Sequence, residues 1–211
     1  MGSGSQSSSR RPSPFDARLV KKSSRRSAAL RLTFASLRGQ VVCVDEIRDD
    51  PGELANRLAP VQGLVVFDGC AGVGKTHLAR DIARRLDGID IDVDSFLDRN
   101  RGCFVVAIRF DDLRAEVLAA LERSPHVFLS TVCARDVIAR LGVPVVRYVY
   151  VEQRSTMGNP ANLEILDAES GTPEALAERP DPEVLDAEVF DYHAAFKPRR
   201  SADIRYIRTA D

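Results

Sequence analysis

The chain contains no C-x-x-C pair, no apolar run approaching the roughly 20 residues that span a bilayer, and no surplus of either charge. Its four cysteines, Cys43, Cys70, Cys103 and Cys133, stand far apart. That spacing excludes a cysteine zinc site and a disulfide scaffold, and it fits reduced thiols in a cytoplasmic protein. The three histidines, His77, His126 and His193, show no metal-ligand spacing, so no metal site built from protein ligands alone is indicated. A formal net charge of -1 gives no global reason for a nucleic-acid or membrane partner.

What the chain does have is enough apolar material for one substantial core: 211 residues, 44% of them hydrophobic. Two full domains would be cramped at that length. Residues 1–27 stand apart as a Ser/Arg-rich stretch with Arg10, Arg11, Arg18, Lys21, Lys22, Arg25 and Arg26 and almost no apolar periodicity. Such a segment cannot bury enough surface to order itself, so it reads as a disordered basic tail. Only there would a nucleic-acid contact be expected. Residues 28–211 form the single folded domain.

Within that domain, Gly69-Cys70-Ala71-Gly72-Val73-Gly74-Lys75-Thr76 fills every required place of the phosphate-cradling pattern G-x-x-x-x-G-K-[ST]. A buried-strand run, Leu64-Val65-Val66-Phe67, precedes it. An amphipathic helix follows, with Leu78, Ala79, Ile82, Ala83 and Leu86 on one stripe. The strand aims the loop, its backbone N–H groups wrap phosphate oxygens, and the helix dipole adds to the attraction. Gly69, Gly72 and Gly74 allow the close approach, Lys75 reaches the terminal phosphates, and Thr76 offers its hydroxyl to magnesium. His77 closes the nucleotide-binding stretch, with its ring on the helix surface. Cys70 reads as a small tolerated side chain. A nucleoside triphosphate is the expected ligand.

Strand-like and helix-like runs alternate along the rest. Leu30–Phe34 and Val41–Val44 suggest a hairpin or an edge addition, and Asp50-Pro51-Gly52-Glu53 opens a short helix. Strands are expected near 64–68, 89–93, 127–129, 145–151 and 204–207, with helices at 75–86, 112–121 and 135–141. Strands separated by helices imply right-handed crossovers and a parallel sheet covered on both faces. A loop after the first core strand then lies at the carboxyl edge, where ligands of open α/β sheets bind.

A second chemical signal ends the second core strand: Asp90-Ile91-Asp92-Val93-Asp94-Ser95-Phe96. Alternation puts Asp90, Asp92 and Asp94 on one face, with Asp94 at the strand's end, about 20 residues after the lysine. Phosphoryl transfer needs a carboxylate there to orient an attacking hydroxyl and accept its proton. Asp94 is the candidate base. The competing reading is a helix cap at Phe96.

Together these residues resemble the uridine kinase-like small-molecule kinases of the P-loop superfamily. The family follows its phosphate loop with an Asp-[Asp/Ser]-Phe element, present here as Asp94-Ser95-Phe96, whose first aspartate serves as base. Asn100-Arg101-Gly102-Cys103-Phe104, Asp111-Asp112-Leu113 and the ending Tyr192-His193, Pro198 and Ala202-Asp203-Ile204 look like later family segments. The resemblance covers about residues 60–210. It implies a P-loop NTPase three-layer sandwich with a mainly parallel five-stranded sheet, plus the short N-terminal β-hairpin. ATP and Mg2+ are implied as cofactors and a small molecule as acceptor. No guanine-reading Asn/Thr-Lys-x-Asp motif occurs.

The chain departs from the family where its third strand ends. That place usually carries an acidic residue near magnesium, whereas this chain reads Val127-Phe128-Leu129-Ser130-Thr131. Magnesium would therefore rest on Thr76, the phosphates and Asp92 or Asp94. Residues of about 152–190, rich in Pro, Gly and acidic side chains, suit a mobile lid. Related kinases put arginines there, and Arg154 and Arg179 are the candidates. Asp136 reads as a helix-surface or capping residue.

The function expected is transfer of the γ-phosphoryl group of ATP to a hydroxyl of a small molecule. A nucleoside-like acceptor is favoured, although Asp-x-Asp on the second strand also resembles shikimate and gluconate kinases. The alternative is a catalytically degenerate ATP-binding regulatory protein. A nucleic-acid-linked ATPase would need an acidic Walker-B pair and a distal arginine finger, and neither is visible.

Overall fold

The computed structural model describes residues 44–98, 102–181 and 185–210. The basic tail, the strand runs at 30–34 and 41–43 read as a hairpin, and Asn100-Arg101 lie outside the described residues.

The described chain opens with a strand, β1 (Asp45–Arg48), and a helix, α1 (Pro51–Leu58). Helix α1 starts where the sequence signals it: Asp50 accepts from the Glu53 amide at 2.9 Å, and Pro51 occupies the first turn. Strand β2 (Gly63–Asp68) carries the glycine-rich loop into α2 (Lys75–Arg85), and β3 (Ile89–Asp92) follows. Helices α3 (Phe104–Ala107) and α4 (Phe110–Arg123) lead to β4 (His126–Ser130), and α5 (Ala134–Leu141) leads to β5 (Val145–Arg154). Helices α6 (Leu163–Asp167), α7 (Pro173–Ala177), α8 (Leu185–Phe196) and α9 (Pro198–Ser201) precede β6 (Ile204–Thr209).

Among the described residues the sheet has six strands, in the order β1-β6-β5-β2-β4-β3, and every pairing is parallel. The five expected core strands are all present. The sixth is β1, which adds to the β6 edge. Its sequence, Asp-Glu-Ile-Arg, buries only Ile47, because an edge strand needs one apolar contact where a central one needs a run. The central strands behave oppositely: Leu64, Val65, Val66 and Phe67 are each at most 1% exposed, so both faces of β2 are covered.

Right-handed crossovers decide which face each helix covers. The chain moves one way from β1 to β2 and from β2 to β3, which puts α1 and α2 on one face. It returns from β3 through β4 and β5 to β6, which puts α4, α5 and the helices α6–α9 on the other. The result is three layers with the glycine-rich loop at the carboxyl end of a central strand. Phe67 and Phe128, from neighbouring strands, meet edge-on with ring centroids 6.1 Å apart within the core.

The segment expected as a lid is more structured than its composition suggests. Ile165, Leu166, Ala168 and Glu169 are buried, and Arg199 ties the segment down by donating to Glu152 at 2.7 Å and, through its amide, to Glu169 at 2.8 Å. None of the described helices is long and apolar enough to cross a membrane.

Helix α2 gives a direct test of this packing. Ile82 is fully buried on its apolar stripe and Arg84 is exposed on the opposite face. Ile82→Ala is expected to lower unfolding free energy by about 2–5 kcal/mol. Arg84→Ala should stay within about 0.5 kcal/mol of wild type in the same urea titration.

Candidate functional site

The residues of the glycine-rich loop enclose one end of a cavity whose other walls come from β3, β4, α3 and α8. Ala71, Gly72, Gly74, Lys75, Thr76 and His77 line the loop side. Asp92 and Asp94 enter from the end of β3, Ser130, Thr131 and Val132 from the end of β4, and Phe104 and Leu185 close the far side. His77 is exposed at the rim, on the helix surface where the sequence placed its ring.

The loop needs its glycines for two distinct reasons. Gly69 has φ 142°, and a Cβ there would collide with the Val151 carbonyl of the neighbouring strand. Gly74 has φ 84° as it enters α2. Lys75 is only 8% exposed and donates to the carbonyls of Gly69 at 3.1 Å and Cys70 at 2.6 Å. Burial pulls its pKa down, while Asp68 and the other acidic groups around it pull it back up.

Thr76 is joined to the end of β4 by Ser130, whose hydroxyl donates to Thr76 Oγ1 at 3.2 Å. Ser130 is 1% exposed. The position that lacks a carboxylate thus lies beside the proposed metal ligand, offering hydroxyl oxygens and no charge. These oxygens and the Asp92 and Asp94 carboxylates suit a hard, oxygen-preferring cation such as Mg2+.

Strand β3 ends at Asp92, two residues earlier than the alternation implied. Val93–Phe96 turn as a short 3-10 helix, and Asp92 caps that turn by accepting from the Asp94 amide at 3.2 Å. The capping role considered for Asp94 therefore belongs to Asp92, which leaves the Asp94 side chain to face the cavity. Burial, then the neighbouring Asp92 charge, push the Asp94 pKa up, against the pull of Lys75. Asp90, two residues before Asp92 on β3, is not among the residues that line the cavity and pairs with Arg80 of α2 at 3.3 Å.

Beneath the loop lies a carboxylate that sequence reading missed. Asp68, the last residue of β2, is 2% exposed. It accepts from the Gly69 amide at 2.8 Å and from the Tyr192 hydroxyl on α8, and the Ala134 amide at the start of α5 also supports it. Tyr192 in turn accepts from the Arg135 amide at 3.2 Å. Burial pushes the Asp68 pKa above its ordinary 3.8, and these donors and Lys75 oppose the push.

A second polar group fills the same layer. His193, fully buried, bonds Tyr150 Oη through Nε2 at 2.8 Å and the Val189 carbonyl through Nδ1 at 2.7 Å. Desolvation lowers its pKa to about 4, and both ring nitrogens are engaged within the protein. Cys70 Sγ lies 3.8 Å from Tyr150 Oη, and burial raises its pKa to about 11. It is a packed thiol with no nucleophilic character. Helix α8 also reaches the far wall, where Glu188 accepts from the amides of Phe104 at 2.6 Å and Val105 at 3.0 Å.

The structure does not bring the two lid arginines to the cavity. Arg154 ends β5 and donates to Glu152 at 2.6 Å, and Arg179 forms a two-pronged pair with Asp191 at 2.7 and 2.5 Å. A carboxylate has claimed each guanidinium. Asp136, in the first turn of α5, matches the helix-end role expected of it.

No protein-family model and no curated protein matches the chain. Solved structures do. A possible uridine kinase from Bacillus stearothermophilus is 12% identical over 74% of this chain and 96% of its own, with a TM-score of 0.48. A candidate fructose transport system kinase from Silicibacter sp. TM1040 is 14% identical over 77% of this chain and 99% of its own, with a TM-score of 0.41. At these values neither likeness carries an argument about function, which rests on the geometry of the cavity.

The Asp68 node yields two expectations. Tyr192→Phe strips a donor from a buried carboxylate and is expected to cost about 1–3 kcal/mol in urea unfolding. Asp68 has a raised folded pKa, so its contribution is fully present below pH 3.8 and is lost as pH rises through the folded value. Wild-type stability measured against Asp68→Asn should therefore fall as pH rises from 3.8, then level off once Asp68 has ionised in the folded state.

Proposed function

We propose that the protein is an ATP-dependent phosphotransferase that moves the γ-phosphoryl group to a hydroxyl of a small molecule, with Mg2+ as cofactor. The observation that carries this reading is that Lys75, Thr76 and Asp94 line one cavity, with Asp94 near enough to Lys75 for their charges to interact. A phosphate cradle alone needs no carboxylate opposite it. Transfer to a hydroxyl does, because the acceptor must be oriented and its proton taken.

In this reading the backbone of Gly69–His77 holds the phosphates and Lys75 exchanges its carbonyl partners for phosphate oxygens. Thr76, supported by Ser130, and Asp92 would hold the metal, which when bound neutralises charge developing on the phosphates. Asp94 orients the acceptor. Phe104, Val132 and Leu185 give that end of the cavity an apolar wall suited to the flat face of a nucleoside base. The exposed stretches of the lid segment, on either side of α6, would close over the cavity. Arg154 could contribute only by leaving Glu152.

A second reading, a nucleotide-binding regulatory protein without efficient transfer, has its own support. Ser130 supplies no charge at the end of β4, and Arg154 and Arg179 are engaged by Glu152 and Asp191.

The deciding experiment is a coupled assay of ATP-to-ADP turnover with Mg2+ over pooled nucleosides, sugars and hydroxy acids. Acceptor-stimulated turnover is expected, and Asp94→Asn should lower it about 10²–10⁴-fold while leaving ATP binding intact. Lys75→Ala should weaken ATP binding about 100-fold or more by calorimetry. ATP binding without turnover on any pool would favour the regulatory reading.

A further inference from the structure

A bound triphosphate brings several negative charges and a flat base, and both arginines of the lid segment are committed elsewhere. A different arginine reaches the loop. Arg208, near the end of β6, donates from Nη1 to the Val73 carbonyl at 3.2 Å. Its guanidinium lies so close to Gly74 that a Cβ on that residue would collide with it. It is half-buried, and its charge reaches the Asp49 carboxyl, whose pKa it helps lower.

The strand order fixes which part of a nucleotide this guanidinium would meet. Asp94 follows β3 at one edge of the sheet, the loop follows β2 in the middle, and Arg208 lies on β6 beyond β5. If the γ-phosphate points toward Asp94, the phosphate chain runs across the loop and the nucleoside leaves on the β5–β6 side. Arg208 lies on that side, outside the residues that line the phosphate cavity. A guanidinium is planar and weakly hydrated, and it stacks on aromatic faces better than an ammonium does.

We propose that Arg208 packs its guanidinium plane against the nucleoside part of the bound triphosphate. This rests on the phosphate-loop reading above and adds a contact that distinguishes a nucleoside triphosphate from bare polyphosphate. Arg208 is thus a specificity-determining residue supplied by the last strand.

The test is calorimetric titration of wild type, Arg208→Ala and Arg208→Lys with MgATP and with magnesium tripolyphosphate, alongside thermal unfolding of each. Arg208→Gln replaces the alanine variant if that one fails to fold. Both variants should weaken MgATP about tenfold and leave tripolyphosphate within about twofold of wild type. Unchanged MgATP affinity in Arg208→Ala overturns the contact, and full retention in Arg208→Lys overturns its planar character. An equal loss for both ligands would make Arg208 a support of the loop and overturn the proposal. Wild type that binds neither ligand overturns the phosphate-loop reading itself, and this inference with it.

Discussion

A carboxylate buried beneath the glycine-rich loop is the constraint around which this protein is arranged. Asp68 gains nothing from water, so it must be satisfied from within the protein. The donors come from three parts of the chain: the Gly69 amide, the Tyr192 hydroxyl and the first turn of α5. Each donor is thereby fixed in position. The end of β2, the start of the loop, α5 and α8 share one hydrogen-bonded point, and the loop inherits its geometry from it.

Helix α8 extends that order to the rest of the cavity. Tyr192 holds the node under the loop, and Glu188, one turn earlier, caps the short helix that presents Phe104. Leu185 itself lines the wall. The loop side and the far wall of the cavity are therefore both braced by one helix, and a displacement of α8 would alter both together.

How far the sequence announced all this depends on whether the partners are near in the chain. The glycine-rich turn between β2 and α2 was legible because its requirements are contiguous, and β2 and β4 were legible because strands buried on both faces read as apolar runs. The hydroxyl at Ser130 was legible as a departure from an expected carboxylate. Strand β1 escaped because a parallel edge strand needs one apolar residue, Ile47, and offers no period to detect. Asp68 escaped because its meaning lies in Tyr192, 124 residues away. The lid arginines were chosen by position along the chain, which says nothing of the carboxylates, Glu152 and Asp191, that hold them. Arg208 stood at the end of a strand recognised only for its apolar residues.

Lys75 does not wait in open solvent; its ammonium rests on the Gly69 and Cys70 carbonyls. The loop is thus hydrogen-bonded to itself, and under the proposed function a phosphate would replace those bonds rather than add to them. What the ligand brings in addition is charge. Recognition by this loop is in that sense an exchange of dipoles for an anion, and its strength should follow the ionic strength of the surroundings more closely than a count of contacts would suggest.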